Sequence, residues 1–181
     1  VETYAGMVGS LLSRLKAERQ LQIREENFRT LYDNLQDFVI IVDFDGNILS
    51  ANAPVLNKLD YTINEISAKN FKELYPKEYN SSLLKIIESL NEQTVCHSSF
   101  PLVSKAGIKI PVETNYSKTV WDNKDCIIII SNDLSKEQEA LLKFNRVFHK
   151  NPVAMILCSY PMMNILEVNQ SMLDLTGYKV H

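Results

Sequence analysis

The 181-residue sequence has only three cysteines, Cys96, Cys126 and Cys158, far apart and without C-x-x-C spacing. That number and spacing exclude a disulfide framework and a thiolate zinc site, and fit buried thiols in a reducing compartment. No run of lysine or arginine exceeds two residues and the net charge is -3, so a nucleic-acid footprint and a polybasic membrane patch are both absent. No uninterrupted apolar run approaches the roughly 20 residues that a membrane-spanning helix requires. A signal-peptide pattern is missing, so the expected location is cytoplasmic. The sequence opens on Val1 and reads as a piece of a longer protein. There is no glycine-rich phosphate loop, no nucleophile–base pair and no metal-ligand cluster, so neither a catalytic nor a metal site is expected.

What is present is ordinary globular composition, 45% hydrophobic and 23% charged, enough to build a core. Residues 1–35 contain no proline and read as one helix. Their apolar stripe runs through Val8, Leu11, Leu12 and Leu15, then shifts phase to Leu21, Phe28, Leu31 and Leu35 across the charged stretch KAERQLQIREE. Such a helix suits pairing with another helix. From Asp37 the period changes. DFVIIVDF reads as a strand, Asp45-Gly46-Asn47 as a hairpin turn, ILSAN as a second strand, and Ala53–Leu59 as a short helix with Pro54 in its first turn.

Short helical pieces are expected over Glu65–Tyr75 and a longer helix over Lys77–Asn91. Three strands should follow, at Thr94–Ser104, Ile108–Trp121 and Cys126–Ser131, the second carrying Pro111 at an edge or bulge and the third central in the sheet. DLSKEQEALLKFNRVFHKN then starts a further helix. Ser135 is the expected cap with Gln138 completing a capping box, and Leu134, Leu141 and Phe148 are spaced by seven as a seam.

Sliding the chain on itself by 117 residues lays Tyr32–Tyr61 over His149–Tyr178 without a gap. Asn47-Ile48-Leu49 meets Asn164-Ile165-Leu166, Asn52 meets Asn169, Leu56 meets Leu173, and Tyr61 meets Tyr178. One complete unit and the opening of a second follow from this repeat.

The order strand, turn, strand ending in Asn52, short helix, then an aromatic step at Tyr61 resembles the start of a PAS domain. The resemblance continues through SKAGIKIPVE, similar to the family's late strands, and closes on Asp133-Leu134-Ser135, which looks like the family's terminal D-I-T. It covers about residues 26 to 136, and a second copy opens near residue 143. Asp60 stands where the family usually has glycine, whereas Gly177 keeps it. The stretch VETYAGMVGSLLSRLKAERQL is similar to the last helix of a GAF domain, which would make the parent GAF–PAS–PAS.

The resemblance implies an α+β fold, with a five-stranded antiparallel sheet, short helices on one face, and long signalling helices on either side. Its expected layout is a linker helix over 1–30, a PAS domain over 31–135, a linker helix over 136–147 and a truncated PAS over 148–181. It further implies a sensory, non-enzymatic module that forms homodimers through its helical flanks and drives an adjacent output domain, such as a histidine kinase or diguanylate cyclase. The alternative is a cofactor- or small-ligand-binding PAS sensor in such a protein. Cavity candidates are Phe71, Phe100, Tyr116 and Ile128, and the signalling residues are Asn52, Asp133, Leu134 and Ser135.

Cofactor identity stays open, with two classes disfavoured. Haem-type members take an axial histidine from the long helix before the third strand; Lys77–Asn91 has none, and His97 reads as an ordinary strand residue. Covalent flavin chemistry needs a cysteine where this chain has AKNFKELYPKEY. Cys96 and Cys126 read as inert buried thiols, and Tyr75 and Trp121 as packing residues. Asp43, Asp45, Asp122 and Asp125 read as turn residues, and His149 as the entry to the second copy rather than a phosphoacceptor. The exposed apolar residues of the tail, Met155, Ile156, Leu157 and Leu166, are expected to dock or to be poorly ordered.

Overall fold

The structure, a computed structural model, describes residues 2–90 and 94–178, with side chains from residue 12 onward except residue 13. Val8 and Leu11 of the first stripe, the expected helix end at Asn91, and residues 179–181 lie outside the described side chains or residues. The chain divides into two compact units, Val1–Asp133 and Leu134–His181.

The first unit begins with helix α1 (Glu2–Asn34). Leu12, Leu15, Leu21, Ile23 and Leu31 are exposed along it, as expected of a helix whose apolar residues change phase. Strands β1 (Phe38–Val42) and β2 (Ile48–Ala51) form the first hairpin. Its turn is built by Asp43, whose carboxylate accepts from the Asn47 backbone N–H and side-chain amide, each at 2.8 Å. Gly46 is obligatory there: φ is +89°, and a Cβ would lie 2.8 Å from the Asn70 side chain and 2.9 Å from the Phe71 ring.

Helix α2 (Ala53–Leu59) follows, then α3 (Ile63–Ser67), where Thr62 and Glu65 form a capping box. A 3₁₀ turn over Phe71–Leu74 repeats that device with Asn70 and Glu73, and a second 3₁₀ turn leads into α4 (Asn80–Ser89). The expected strand Thr94–Ser104 is broken in two, β3 (Val95–Ser98) and β4 (Leu102–Val103), because Pro101 has no N–H to give a ladder. Pro111 breaks the next one likewise, separating β5 (Lys109–Ile110) from β6 (Val112–Trp121). β4 and β5 pair with each other in a separate two-stranded sheet, and β7 (Lys124–Asp133) completes the unit.

The main sheet is antiparallel in the order β2-β1-β7-β6-β3, so the apolar run in β7 is central, as expected. Its inner face carries Phe38, Ile40, Val42, Ile127, Ile129, Val112 and Tyr116 against Val55, Leu59, Ile66, Phe71, Leu74 and Leu83 of the helical layer. At about 25 cal/mol per Å² of apolar surface, burial of this cluster is the main stabilising contribution.

The second unit opens with α5 (Ser135–Phe144) and a π-helical turn over Asn145–His149. Leu134, not Ser135, occupies the cap position and makes no side-chain cap hydrogen bond; its carbonyl accepts the Gln138 N–H at 3.0 Å. The expected cap at Ser135 is therefore replaced by Leu134, whose side chain has no acceptor for a capping box. The seam is also corrected. Leu141 is exposed, while Phe148 lies within the π turn, which adds a residue to the helical repeat, and is buried and stacked on Phe144 at 5.2 Å. Strands β8 (Ile156–Cys158) and β9 (Ile165–Val168) pair as a hairpin, and α6 (Gln170–Thr176) ends the unit. Ile156, Leu157 and Leu166 of this hairpin are exposed.

Candidate functional site

Asn52 is the N-cap of α2 and fully buried. Its Oδ1 accepts from the backbone N–H of Val39 at 3.0 Å and of Val55 at 3.4 Å, while its Nδ2 donates to the carbonyls of Asp37 at 2.9 Å and Tyr32 at 3.2 Å. One amide thus ties the end of α1, the start of β1 and the first turn of α2. Every lone pair and proton of the amide is used, so the side chain is committed to the fold.

Deeper in the unit, a group of hydroxyls faces inward among the apolar residues. Tyr75 and Tyr116 share a hydrogen bond at 3.1 Å, Tyr116 meets Ser98 at 3.0 Å, and Thr114 meets Ser131 at 2.8 Å. Thr114 and Ser131 act on the Tyr75 hydroxyl as well. Burial pushes the Tyr75 phenol well above its ordinary value and the Tyr116 phenol up, so both stay neutral and serve as hydrogen-bonding groups, not acids. The arrangement can exchange hydrogen-bond partners; it holds no nucleophile with a base.

The cluster touches the exit of the unit through one strand. Ser131 and Asp133 are two apart on β7 and so point to the same face. Asp133 forms an ion pair with Lys58 of α2 at 2.6 Å, and the next residue, Leu134, occupies the N-cap position of α5. The strand that carries a buried hydroxyl is therefore the strand that leads into the following helix.

A PAS-domain family model matches residues 36–136, more than half of the chain. The chain belongs to the PAS domain family. A second PAS model matches residues 142–181. Among curated proteins, a methyl sulfide methyltransferase-associated sensor of Methanosarcina acetivorans is 26% identical over 77% of this chain and 14% of its own length. The sensor histidine kinase TmoS of Ectopseudomonas mendocina is 27% identical over 67% of this chain and 13% of its own length. Sporulation kinase E of Bacillus subtilis is 21% identical over 85% of this chain and 21% of its own length. The chain thus spans about a fifth or less of these relatives. Among solved structures, a PAS domain from Desulfitobacterium hafniense aligns with TM-score 0.50 and 25% identity over 56% of this chain and 96% of its own. A PAS domain of an HTR-like protein from Haloarcula marismortui aligns at 0.57 and 19% identity, over 65% and 98% respectively, and supports the fold.

Within this PAS fold the four cavity candidates do not all meet. Phe71 is in the core with its ring edge-on to Tyr75 at 6.2 Å, and Tyr116 is in the hydroxyl cluster. Phe100 stacks on Tyr79 at 4.5 Å, half-buried at the margin of the core. Ile128 alternates with inward Ile127 and Ile129 and so lies on the other face of the sheet. Sequence reasoning missed Tyr75, Ser98, Thr114 and Ser131 as a group. Their signal was present: Thr114 and Tyr116 share the phase of Val112, and Ser131 that of Ile127 and Ile129.

His97 Nδ1 is bonded to Asn115 Oδ1 across β3 and β6. Among the described residues no group of three or more His, Cys, Asp and Glu is placed to hold a metal ion, and no helix is long and apolar enough to cross a membrane. Asp60 takes the left-handed conformation at the C-cap of α2, φ 60°, as Gly177 does at the end of α6, φ 74°. The family's glycine is thus replaced by a residue type that tolerates this conformation.

Proposed function

We propose that the chain is the sensory, signal-transducing part of a multidomain signalling protein, with the PAS domain at 31–135, helical linkers at 1–30 and 136–147, and the start of a second PAS at 148–181. It is not itself an enzyme, works in the cytoplasm, and acts on an output domain of the histidine kinase or diguanylate cyclase type. The observation that carries this reading is the placement of Ser131 and Asp133 on one face of β7, immediately before α5. A change of hydrogen-bond partner at Tyr75 or Tyr116 shifts β7, strains the Lys58–Asp133 pair and biases the exit helix between two positions.

Homodimerisation through α1 completes the reading, supported by the apolar residues exposed along that helix. Sedimentation velocity across micromolar concentrations tests it. A concentration-dependent dimer that is lost when residues 1–30 are removed is expected; a strict monomer contradicts the dimer.

A second reading, a PAS that holds a small ligand, is favoured by the hydroxyl cluster itself, since it offers both donors and acceptors inside an apolar interior. Native mass spectrometry and an absorption spectrum of the purified protein decide it: bound mass supports it, and bare protein opposes it.

A further inference from the structure

Between α1 and the body of the first unit runs an open groove of about 910 Å³. Its apolar wall is aromatic on one side, with Ala51, Leu56 and Ile63 making up the rest. Phe28 and Tyr32, one helical turn apart, stack with ring centres 5.6 Å apart, and Trp121, at the end of β6, meets Phe28 at 5.8 Å and 49°. Tyr32 is fixed by its hydroxyl, which bonds Ser50 at 3.1 Å and the Val39 carbonyl at 3.3 Å. The rim is acidic. Glu25 and Glu26 come from the helix, and Asp122 comes from the tight turn between β6 and β7, where Asp122 and Asn123 both have positive φ. Glu26 is bonded to Gln22, but Glu25 and Asp122 form no ion pair among the described residues. Arg29 is the one cation in the same lining.

An aromatic wall beneath a carboxylate rim has a definite chemical preference. Ring faces carry negative quadrupole potential and attract weakly hydrated cations, and the carboxylates add Coulomb attraction from the sides. A bare metal ion is a poor match, because the carboxylates are not grouped as ligands. An anion meets like charge, and a neutral apolar molecule leaves the rim uncompensated. We propose that this groove is a binding site for a small organic cation, an alkylammonium group seated against Trp121 and Phe28 and flanked by Glu25 and Asp122. The site stands apart from the hydroxyl interior and does not depend on the signalling reading.

Trp121 is the single tryptophan of the chain, so its fluorescence reports the groove directly. Titration of the full chain with tetramethylammonium chloride, against sodium chloride at equal ionic strength, is expected to give a saturable change in emission only with the organic cation. Glu25→Gln and Asp122→Asn should each weaken that binding by roughly three- to tenfold, and Phe28→Leu by a similar factor, with circular dichroism unchanged. Calorimetry on Trp121→Phe, which keeps a ring in place, should retain weakened binding. The proposal is overturned if no saturable signal appears, if sodium reproduces it, or if both charge variants bind as the parent does. It is equally overturned if those variants abolish self-association while the free cation does not bind, since the occupant is then a second copy of the chain.

Discussion

The two strand-to-helix corners of this chain, at Asn52 and Asn169, are built alike and surrounded differently. Asn169 is fully buried, accepts from the backbone N–H of Met155 at 2.9 Å and Met172 at 3.0 Å, and donates to carbonyls of Phe148, Asn151 and Val153. That is the arrangement of Asn52 over again. Yet β1 is hydrogen-bonded on both edges, to β2 and β7, whereas β8 pairs with β9 alone among the described residues. The same side-chain hydrogen bonds thus close the corner in both units. The repeat is also out of step by one residue ahead of the turn. Ile40 faces Ala51 in one hairpin and Ile156 faces Val168 in the other, because Ser159–Asn164 holds one residue more than Asp43–Asn47. The gapless alignment is thus correct from Asn47 onward and displaced in the first strand.

The sharpest way to break the comparison is to delete each amide. Asn52→Ala removes the side-chain partner of four backbone groups, two of them buried and two half-buried, and should destabilise the first unit by about 3 kcal/mol in urea unfolding. Asn169→Ala should leave that transition unchanged and instead accelerate amide exchange at Met155 and Met172; a shared loss of stability would contradict a local device. Next in size, Tyr116→Phe removes the hydroxyl common to Tyr75 and Ser98 and should cost about 1–2 kcal/mol in the first unit, with nothing comparable in the second. Smaller and opposite in sign, Asp60→Gly should raise stability by about 0.5–1 kcal/mol, because glycine adopts the left-handed cap without strain. A fall in melting temperature would show that the aspartate side chain contributes more than its backbone costs.

The smallest effect is in the pH dependence. Glu65 is held at about 2 by hydrogen bonds from Lys105 and from Thr62. A depressed carboxylate stabilises the fold above its unfolded value, and that contribution is lost as pH falls toward 2. Glu65→Gln should remove a small acid-side slope in the melting temperature, and an identical profile would show that the exposed pair adds nothing.

Local chemistry made most of this fold legible. Pro54 announced the first turn of α2, and the Asp-Gly-Asn turn announced the first hairpin. The uninterrupted apolar run in β7 announced a central strand. What stayed hidden depended on partners far along the chain. Tyr75 and Tyr116 meet 41 residues apart, and neither neighbourhood marks the other. Lys58 and Asp133 come together only because α2 lies beside the end of β7. Pro111 reads as an edge or bulge signal, but the full effect of Pro101 and Pro111, cutting two expected strands to make the β4–β5 pair, required knowing which sheet each piece would join.

The central claim is that the buried hydroxyls and the exit helix are coupled through β7. Hydrogen exchange at the Gln138 amide, bonded to the Leu134 carbonyl, tests it most directly. Ser131→Ala and Lys58→Met should each speed exchange there by several-fold relative to the parent chain. Unchanged protection at Gln138 in both variants, with altered protection of β6 and β7 around Ser131, would contradict the coupling.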